Sequence, residues 1–411
     1  ELLSWADGRA ALEVRANADT PEGAARARAL GARGIGLCRT ERMFNSPDRL
    51  PLVRELIMAE TYEARAKVLE TLLPAQRSDF ENIFRAMAGL PVTVRLLDAP
   101  LHEFLPHAYE LEHSISRLGL LQTLPAELGE LPEAVRLLDP ELHRRLAGLI
   151  EEMRGDLVRL AGRHALESLI EERRGELRRV LSLAEVNPML GHRGVRLGLT
   201  FPEIYRMQIR AVVEAVASCI EDGVEARAEI LVPQVVTAEE LLRVHAWVEE
   251  IRSEVEATRS LAIPLRFGSM VETVRACMRA PRLAAVAEFL SFGTNDLTQA
   301  VFSFSREDVE TKFLPLYNEA GILRDNPFEV LDVEGVGRLI EMTVESARRQ
   351  RPDATFGICG EQAGDPTSIA FCHQAGLDYI SCSPARVPAA RLAAAQAALS
   401  VERPEQGRRA A

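Results

Sequence analysis

Two acidic residues stand at the ends of short apolar segments of the sequence. Glu272 ends "GSMVE", and Asp296 ends "GTND" within "FLSFGTNDLTQ", residues 289–299. If both segments are strands, two carboxylates lie on neighbouring strand ends. Such a pair suits one hard divalent cation with water completing its shell, and we expect Mg²⁺. The alternative is that each acid caps the following helix. For either acid alone the two interpretations are equally good, but the joint position of the two acids favours a metal.

Two arginines lie where a solvent-facing helix would not place them. Arg95, in "TVRLLD", lies within an otherwise apolar segment, and Arg193, in "NPMLGHRG", lies in a glycine-flanked loop. Because a buried guanidinium requires an anion, the pair could bind a substrate that carries both carboxylate and phosphate. The alternative is a structural ion pair with Asp98 or Glu41. For Arg39 in "CRTE", a structural pair is the better interpretation.

A cysteine stands at the end of another apolar segment. Cys359 lies in "GICGE", where flanking glycines open space around it and Glu361 follows two positions later. A thiol with an ordinary pKa, about 8.5, can serve as an acid at neutral pH, so Cys359 is a candidate acid or nucleophile. The commoner fate of a free cysteine is a place in the apolar core, which is our interpretation of Cys38 and Cys382.

Eight short segments share this order of apolar residues, mostly followed by small or polar ones. They are "LEVRANAD" at 12, "GIGLCRTE" at 34, "VTVRLLD" at 92, "EILVPQVV" at 229, "LRFGSMVE" at 265, "FLSFGTND" at 289, "TFGICGE" at 355 and "YISCSP" at 379. Stretches with helical spacing separate them, such as "TPEGAARARALGA", where Thr20 or Asp19 can cap a helix that Pro21 opens. This alternation predicts an α/β fold, a parallel (β/α)8 barrel of the TIM type. Because the carboxyl ends of the strands meet at one end of such a barrel, their polar residues are expected to share one pocket.

One gap between these segments is longer than the others. Residues 107–184, after the third segment, are rich in Leu, Glu and Arg. Apolar residues recur there at steps of three and four in two series: Leu142, Leu146, Leu149, Met153, Leu157 and Leu160, then Leu166, Ile170, Leu177 and Leu181. This spacing predicts amphipathic helices that pack on the barrel or on a second copy of the chain. We therefore predict one domain over residues 1–400, with a helical insertion at 107–184 and a tail at 401–411.

Composition argues against several classes of protein. The chain has 411 residues and a formal net charge of −12, which argues against a nucleic-acid-binding surface. No run approaches the roughly 18 apolar residues of a membrane span, so we expect no membrane segment. The first residues resemble neither a secretory signal nor a transit peptide, and we expect a cytoplasmic protein. Six widely spaced cysteines favour reduced thiols over disulfides or a zinc site.

Several motifs together resemble the pyruvate, phosphate dikinase family of PEP-utilising enzymes, where PEP is phosphoenolpyruvate. The motifs are "VRANADTP", "GIGLCRTE", "LLDAPLHEFLP", "EVNPMLGHRGVRL", "FPEI", "FLSFGTNDLTQ", "FGICGE" and "LDYISCSPARVPAARLAAAQAAL". The resemblance is to the C-terminal domain that binds PEP and pyruvate, and it covers nearly the whole chain. The last motif, with "GLCRTE" and "PLHEFLP", favours the dikinases over PEP synthase and enzyme I of the sugar phosphotransferase system.

The resemblance implies a reaction and a role for each motif residue. PEP would react reversibly with an enzyme histidine to give pyruvate and phosphohistidine, and the complete enzyme would also use ATP and phosphate. Glu272 and Asp296 would hold Mg²⁺, and Cys359 would be the proton donor. The implied substrate-binding residues are Arg95, Arg193, Glu272, Gly293, Thr294, Asn295 and Asp296.

The resemblance also implies partners outside this chain. None of the eight histidines lies in a threonine-rich phosphohistidine loop, and there is no nucleotide-binding half. We therefore expect a phosphohistidine domain and an ATP-binding domain from elsewhere. The family and the Leu-rich helices favour a homodimer. Two alternatives stay open. One is an inactive barrel kept for dimerisation or regulation, against which the intact motif residues count, and the other is a pyruvate-handling lyase on the same fold.

Overall fold

Eight parallel strands form a closed barrel in a computed structural model of the chain. The structure describes residues 1–99, 101–120, 136, 139–160, 163–185, 187 and 190–402. The strands follow one another around the barrel in sequence order, and β1 pairs with β8 to close it. Helices surround the strands. The predicted (β/α)8 barrel is therefore confirmed.

Each of the eight predicted segments overlaps one strand, although β3 and β4 begin one and two residues before their segments. The strands are β1 (Glu13–Asn17), β2 (Ile35–Arg39), β3 (Pro91–Arg95), β4 (Arg227–Val232), β5 (Leu265–Val271), β6 (Phe289–Phe292), β7 (Thr355–Ile358) and β8 (Tyr379–Cys382). All four residues of β6 and of β8 are buried, because strands of a parallel barrel are covered on both faces. Large side chains such as Phe289, Phe292 and Phe356 fill the core, so the strands form a rigid base for the turns at their carboxyl ends.

The helices of the barrel lie before, between and after the strands. They are α1 (Leu2–Asp7), α2 (Pro21–Ala29), α3 (Glu41–Phe44), α4 (Leu50–Met58), α5 (Tyr62–Ala86), α9 (Val195–Thr200), α10 (Pro202–Glu221), α11 (Ala238–Arg259), α12 (Val274–Met278), α13 (Ala280–Ala284), α14 (Thr294–Phe302), α15 (Arg306–Lys312), α16 (Leu314–Glu319), α17 (Arg338–Gln350), α18 (Pro366–Gln374) and α19 (Val387–Glu402). The side chain of Thr20 caps α2 by accepting the N–H of Gly23, and Pro21 opens the helix as predicted.

Residues 101–188 form a compact unit of their own, and residues 1–100 with 189–411 form the other. In the smaller unit, α6 covers residues 108–120, and α7 (Pro140–Leu160) and α8 (Arg163–Leu183) follow. All three helices fall within the predicted insertion between β3 and β4. Both apolar series lie on α7 and α8, although the side chains of Met153, Leu157 and Leu160 are outside the described residues.

Three further expectations concern the chain as a whole. None of the described helices is long and apolar enough to cross a membrane. All six cysteines are free and buried, as expected for reduced thiols. The domain limits stay a prediction. Helix α19 extends to Glu402, and the remainder of the predicted tail, residues 403–411, lies outside the described residues.

Candidate active site

The carboxyl ends of five strands, with the turns that come after them, line one small pocket of about 30 Å³. Six of the eight predicted site residues are among its lining. The lining residues within strands are Leu37 and Arg39 of β2, Arg95 of β3 and Met270 of β5. Those that follow strands are Glu272 after β5, Gly293, Asn295 and Asp296 after β6, and Cys359 and Gly360 after β7. Of the other two predicted residues, Arg193 bonds Asp296 directly, and Thr294 is buried beside the turn. The strand ends converge as the sequence predicted.

The two predicted metal ligands lie at the β5 and β6 ends. Glu272 follows β5 directly and is buried, and its Oε1 accepts the backbone N–H of Gln234 at 2.6 Å. It does not cap the next helix, because the hydroxyl of Thr273 accepts the N–H at the start of α12. Asp296 lies in the first turn of α14, and its Oδ1 accepts a hydrogen bond from Arg193 at 3.2 Å. The helix-capping alternative therefore does not describe Glu272.

Electrostatics around these two carboxylates fit a cation. Burial raises the pKa of Glu272 well above its usual range, and the negative charges of Asp296 and Asp98 raise it further. Burial also raises the pKa of Asp296, and the nearby Arg193 offsets this only in part. A divalent ion would relieve both the desolvation and the repulsion. In the described part of the chain no group of three or more His, Cys, Asp or Glu side chains could hold a metal.

Asp98 joins the two predicted arginines. Arg193 bonds both carboxylate oxygens of Asp98, at 2.6 and 3.0 Å, and Arg95 bonds one of them at 2.6 Å. Arg95 also donates to Glu41. Burial opposes ionisation of Asp98, but the charges of Arg95 and Arg193 outweigh it and hold the pKa of Asp98 below its usual range. Both arginines thus have the structural partners that the sequence offered as the alternative, and both also border the two carboxylates.

Arg39 is the cation that the sequence interpretation missed. It lines the pocket at the end of β2, and its backbone N–H bonds the side chain of Asp19 at 2.6 Å. Its guanidinium makes no hydrogen bond or ion pair with any residue that the structure describes, so the structural pair expected for Arg39 is wrong. The signal was available, because Arg39 ends an apolar segment just as Arg95 does.

The turn after β6 is fitted closely to its neighbours. A Cβ on Gly293 would lie 2.5 Å from Oε2 of Glu272, so only glycine allows the carboxylate to approach this backbone. The hydroxyl of Thr294 bonds Oε1 of Gln362 at 2.8 Å. Oδ1 of Asn295 accepts the N–H of Glu361 at 3.4 Å. The turn that carries Asp296 is thereby tied to the loop after Cys359.

Cys359 is the first residue after β7 and is buried. Its N–H donates to the carbonyl of Phe292 at 3.1 Å, and its Sγ lies 3.5 Å from the same oxygen. Burial raises the pKa of the thiol to about 11, which the hydroxyl of Ser291 lowers only in part. The expectation of an ordinary thiol pKa is therefore wrong. The group holds its proton at neutral pH more firmly than a free cysteine.

Two buried hydroxyls lie beside this thiol. Ser291 in β6 lowers the pKa of Cys359 and also that of Tyr379 in β8, which places its hydroxyl next to both groups. Neither Ser291 nor Tyr379 has a hydrogen-bond partner of good geometry for its hydroxyl among the described residues. Sequence reasoning missed both residues. The available signal was a serine in the middle of the apolar run "FLSF".

Comparison with known proteins identifies the barrel. Residues 1–399 match the family described as PEP-utilising enzyme, PEP-binding domain. The chain belongs to this family. It is 45% identical over 397 residues to pyruvate, phosphate dikinase of Entamoeba histolytica, a match that covers 96% of this chain and 40% of that protein. It is 48% identical over 400 residues to pyruvate, phosphate dikinase 2 of Oryza sativa, covering 97% of this chain and 40% of that protein.

The matched range contains all eight strands of the barrel and every residue that lines the pocket. A further relative, chloroplastic pyruvate, phosphate dikinase 1 of Arabidopsis thaliana, is 48% identical over 395 residues, with 96% of this chain and 36% of that protein covered. The resemblance predicted from the motifs is confirmed. The chain spans less than half the length of each of these relatives.

A larger cavity, of about 360 Å³, lies at the opposite end of this PEP-binding domain. Its lining includes Glu13, Pro91 and Arg227, the first residues of β1, β3 and β4. Its charged side chains are already paired, since Arg391 bonds Asp7 at 2.6 Å and Arg227 bonds Glu225 at 2.6 Å. We favour the smaller pocket as the site because the chemically capable residues converge there, as in other barrels of this type.

Proposed function

We propose that this chain is the PEP- and pyruvate-binding catalytic domain of a pyruvate, phosphate dikinase. It would transfer a phosphoryl group between PEP and a histidine carried on another domain, with release of pyruvate in that direction. The observation that carries this proposal is the pocket itself. It joins two buried carboxyls of raised pKa, a guanidinium that has no partner among the described residues, and a buried thiol at the carboxyl end of a barrel.

The arginines are suited to a substrate with two anionic groups. Arg39 has a free guanidinium at the pocket wall, and Nε of Arg95 is buried without a partner among the described residues. Both retain donors for a phosphate or carboxylate oxygen. Arg193 is already engaged by Asp98 and Asp296, so its contribution is to fix the local charge. The contact between Arg193 and Asp296, at 3.2 Å, is longer than the 2.6 Å contact between Arg193 and Asp98, so a substrate anion would compete with Asp296 more readily than with Asp98.

Glu272 and Asp296 would hold Mg²⁺. The raised pKa of each carboxyl supports this assignment, since both charges are unfavourable in the absence of a nearby cation. When bound, the ion would supply positive charge to the substrate oxygens. Gln234 would keep Glu272 in place through its backbone N–H, and Gly293 would leave the space that this carboxylate needs.

Cys359 would handle the proton. As the phosphoryl group leaves PEP, its O–P bond breaks, an N–P bond to the histidine forms, and the electron pair stays with the oxygen of the enolate. The methylene carbon of that enolate then takes a proton from Sγ of Cys359, and the thiolate recovers a proton from solvent. A thiol pKa of about 11 keeps the donor protonated at neutral pH. The reverse reaction uses the same steps in the opposite order.

Three other functions compete with this proposal. PEP synthase and enzyme I would use the same pocket, and the identities of 45% and 48% to dikinases favour the dikinase. An inactive barrel kept for dimerisation or regulation would not need an arginine without a partner among the described residues, Arg39, beside two buried carboxyls of raised pKa. A lyase would need a group that cleaves a carbon–carbon bond, and no motif of the chain indicates one.

The test is binding of oxalate, which imitates the enolate of pyruvate. Calorimetry should show oxalate binding that depends on Mg²⁺, and Glu272→Gln and Asp296→Asn should each weaken it by at least about tenfold. Asp308→Asn changes an exposed acid in α15 and serves as the matched control, which should bind normally. Normal Mg²⁺-dependent binding in both site variants would place the ion elsewhere. No oxalate binding by the parent chain would favour the inactive barrel.

A further inference from the structure

Cys359 lies just past the end of the pairing between β7 and β8, although its N–H still bonds Phe292 on β6. Strands β7 and β8 pair at Gly357 with Tyr379 and at Ile358 with Ile380, and their register ends there. Cys359 is the next residue, and its carbonyl oxygen accepts a hydrogen bond from Nδ2 of Asn17 at 3.2 Å. A side chain thus provides the bond to this carbonyl beyond the end of the β7–β8 register.

Asn17 reaches this carbonyl from the far side of β8. It is the last residue of β1, and β1 pairs with β8 rather than with β7. The hydroxyl of Ser381, a buried residue of β8, donates to Oδ1 of Asn17 at 2.6 Å. Because Oδ1 is occupied as an acceptor, the amide nitrogen of Asn17 points its donors the other way, toward Cys359. The two hydrogen bonds therefore fix the orientation of the amide.

The backbone of Cys359 is consequently held from two sides. Its N–H donates to Phe292 on β6, and its carbonyl accepts from Asn17 on β1. With both neighbouring peptide groups fixed, the direction of the Cα–Cβ bond is fixed, and so is the arc that Sγ can reach. Proton transfer to carbon is sensitive to such placement, because a displacement of about 1 Å can cost a factor of about 100 in rate.

We propose that Asn17 is a positioning residue for the Cys359 thiol, with Ser381 orienting its amide. This inference rests on the proposed function, in which Cys359 delivers a proton to the enolate. Asn17 itself touches no reacting atom. A purely structural hydrogen bond would instead contribute to folding and leave the proton transfer unchanged once the protein is folded.

The experiment compares two variants in an assembly that contains the chain and its phosphohistidine partner. Asn17→Asp keeps the size of the side chain and the acceptor for Ser381 but removes the donor to Cys359. Asn318→Asp is the matched control, because Nδ2 of Asn318 also donates to a backbone carbonyl, that of Leu323 at 3.1 Å, away from the pocket. Two quantities are measured for each: Mg²⁺-dependent oxalate affinity, and the rate of exchange of the methyl hydrogens of pyruvate with solvent.

We expect Asn17→Asp to slow the exchange by about 10- to 100-fold while changing oxalate affinity by less than about threefold. Asn318→Asp should change neither quantity. Ser381→Ala, which frees the amide without removing it, should slow the exchange by a smaller factor. This second variant also keeps the test decisive if Asn17→Asp fails to fold.

Cys359→Ala separates failure of this inference from failure of the proposed function. If Cys359→Ala abolishes exchange and both Asn17→Asp and Ser381→Ala exchange at the parent rate, the inference is overturned and the proposed function stands. If Cys359→Ala exchanges at the parent rate, the thiol is not the donor and both are overturned. Equal losses of exchange and of oxalate affinity in Asn17→Asp would show general loosening of the site, which also overturns the inference.

Discussion

Asp98 organises the charges of the pocket, although it is not among the predicted site residues. It is fully buried and contacts both Arg95 and Arg193. Without Asp98, the guanidiniums of Arg95 and Arg193 would repel each other, and burial would make their charges more unfavourable. At the scale of single residues, Asp98 therefore holds both arginines in place. Glu272 and Asp296, the two acids proposed to bind the metal, lie close enough that the charge of Asp296 raises the pKa of Glu272.

The low pKa of Asp98 predicts a stability that depends on pH. Because the pKa is lower in the folded chain than in the unfolded chain, the carboxylate stabilises the fold above the unfolded pKa of about 3.9, and this contribution disappears as pH falls through the folded value. At pH 7, Asp98→Asn should lower the free energy of unfolding by about 3 kcal/mol, since it leaves buried cations underpaired. The difference should shrink below about pH 4.

Denaturant unfolding at several pH values checks this prediction. Asp7→Asn is the control, because Asp7 also bonds an arginine, Arg391 at 2.6 Å, but is more exposed. Its loss should be about 1 kcal/mol or less. A difference between Asp98→Asn and the parent that stays constant from pH 7 to pH 3 would show that the charge of Asp98 does not stabilise the fold.

At the scale of elements, short turns rather than long helices hold the residues of the site in place. The turn that opens α14 and the loop after β7 are joined by hydrogen bonds from Thr294 and to Asn295, so Asp296 and Cys359 are held relative to each other. Long helices such as α11 instead connect successive strands of the barrel. Thr237 and Glu240 form a reciprocal cap at the start of α11, shortly after β4.

This cap predicts a change in stability without a change in the site. Thr237→Ala removes the acceptor for the N–H of Glu240 and should lower the free energy of unfolding by about 1 kcal/mol. Oxalate affinity should stay at the parent value. Thr258→Ala is the control, because this exposed hydroxyl near the end of the same helix donates to the carbonyl of Glu254 and caps no helix start. Equal stability losses in the two variants would argue that the cap makes no special contribution.

Two compact units make up the molecule at the largest scale, and only one of them carries the pocket. The smaller unit contains Leu142 and Leu149 on α7, with 41% and 56% of each residue exposed, and Leu181 on α8, with 55% exposed. Exposed leucines on amphipathic helices favour contact with another molecule. We propose that this unit takes part in a homodimer.

Sedimentation at micromolar concentration tests the dimer. The parent chain should sediment as a dimer, and Leu142→Glu combined with Leu149→Glu should shift it toward monomer, since buried charges oppose an apolar interface. Leu242→Glu changes an exposed leucine of α11 in the other unit and should leave the dimer intact. A parent chain that is only monomeric would contradict the proposal, as would a double variant that remains dimeric.

Much of the fold followed from local patterns. Most strands of the barrel are rich in buried apolar residues, and most strand ends are marked by a change to polar or small residues that needs no knowledge of distant contacts. The placement of Glu272, Asp296 and Cys359 at one end of the barrel follows, because parallel strands all end on the same side. The role of Arg39 did not follow, and the pairing with Asp98 was only an alternative, since a sequence shows a charge but not its partner.

The sequence by itself determined the eight strands, the helices between β3 and β4, and the strand ends on which the pocket is built. The tertiary structure alone decided which charges are paired, that the guanidinium of Arg39 has no partner among the described residues, and that the Cys359 thiol holds its proton at neutral pH. Arg193 and Asp98 are 95 positions apart, and Asn17 and the carbonyl of Cys359 are 342 apart. The physical reason is that ion pairing, desolvation and the thiol pKa depend on distances and burial, which closure of the barrel sets between residues remote in the chain.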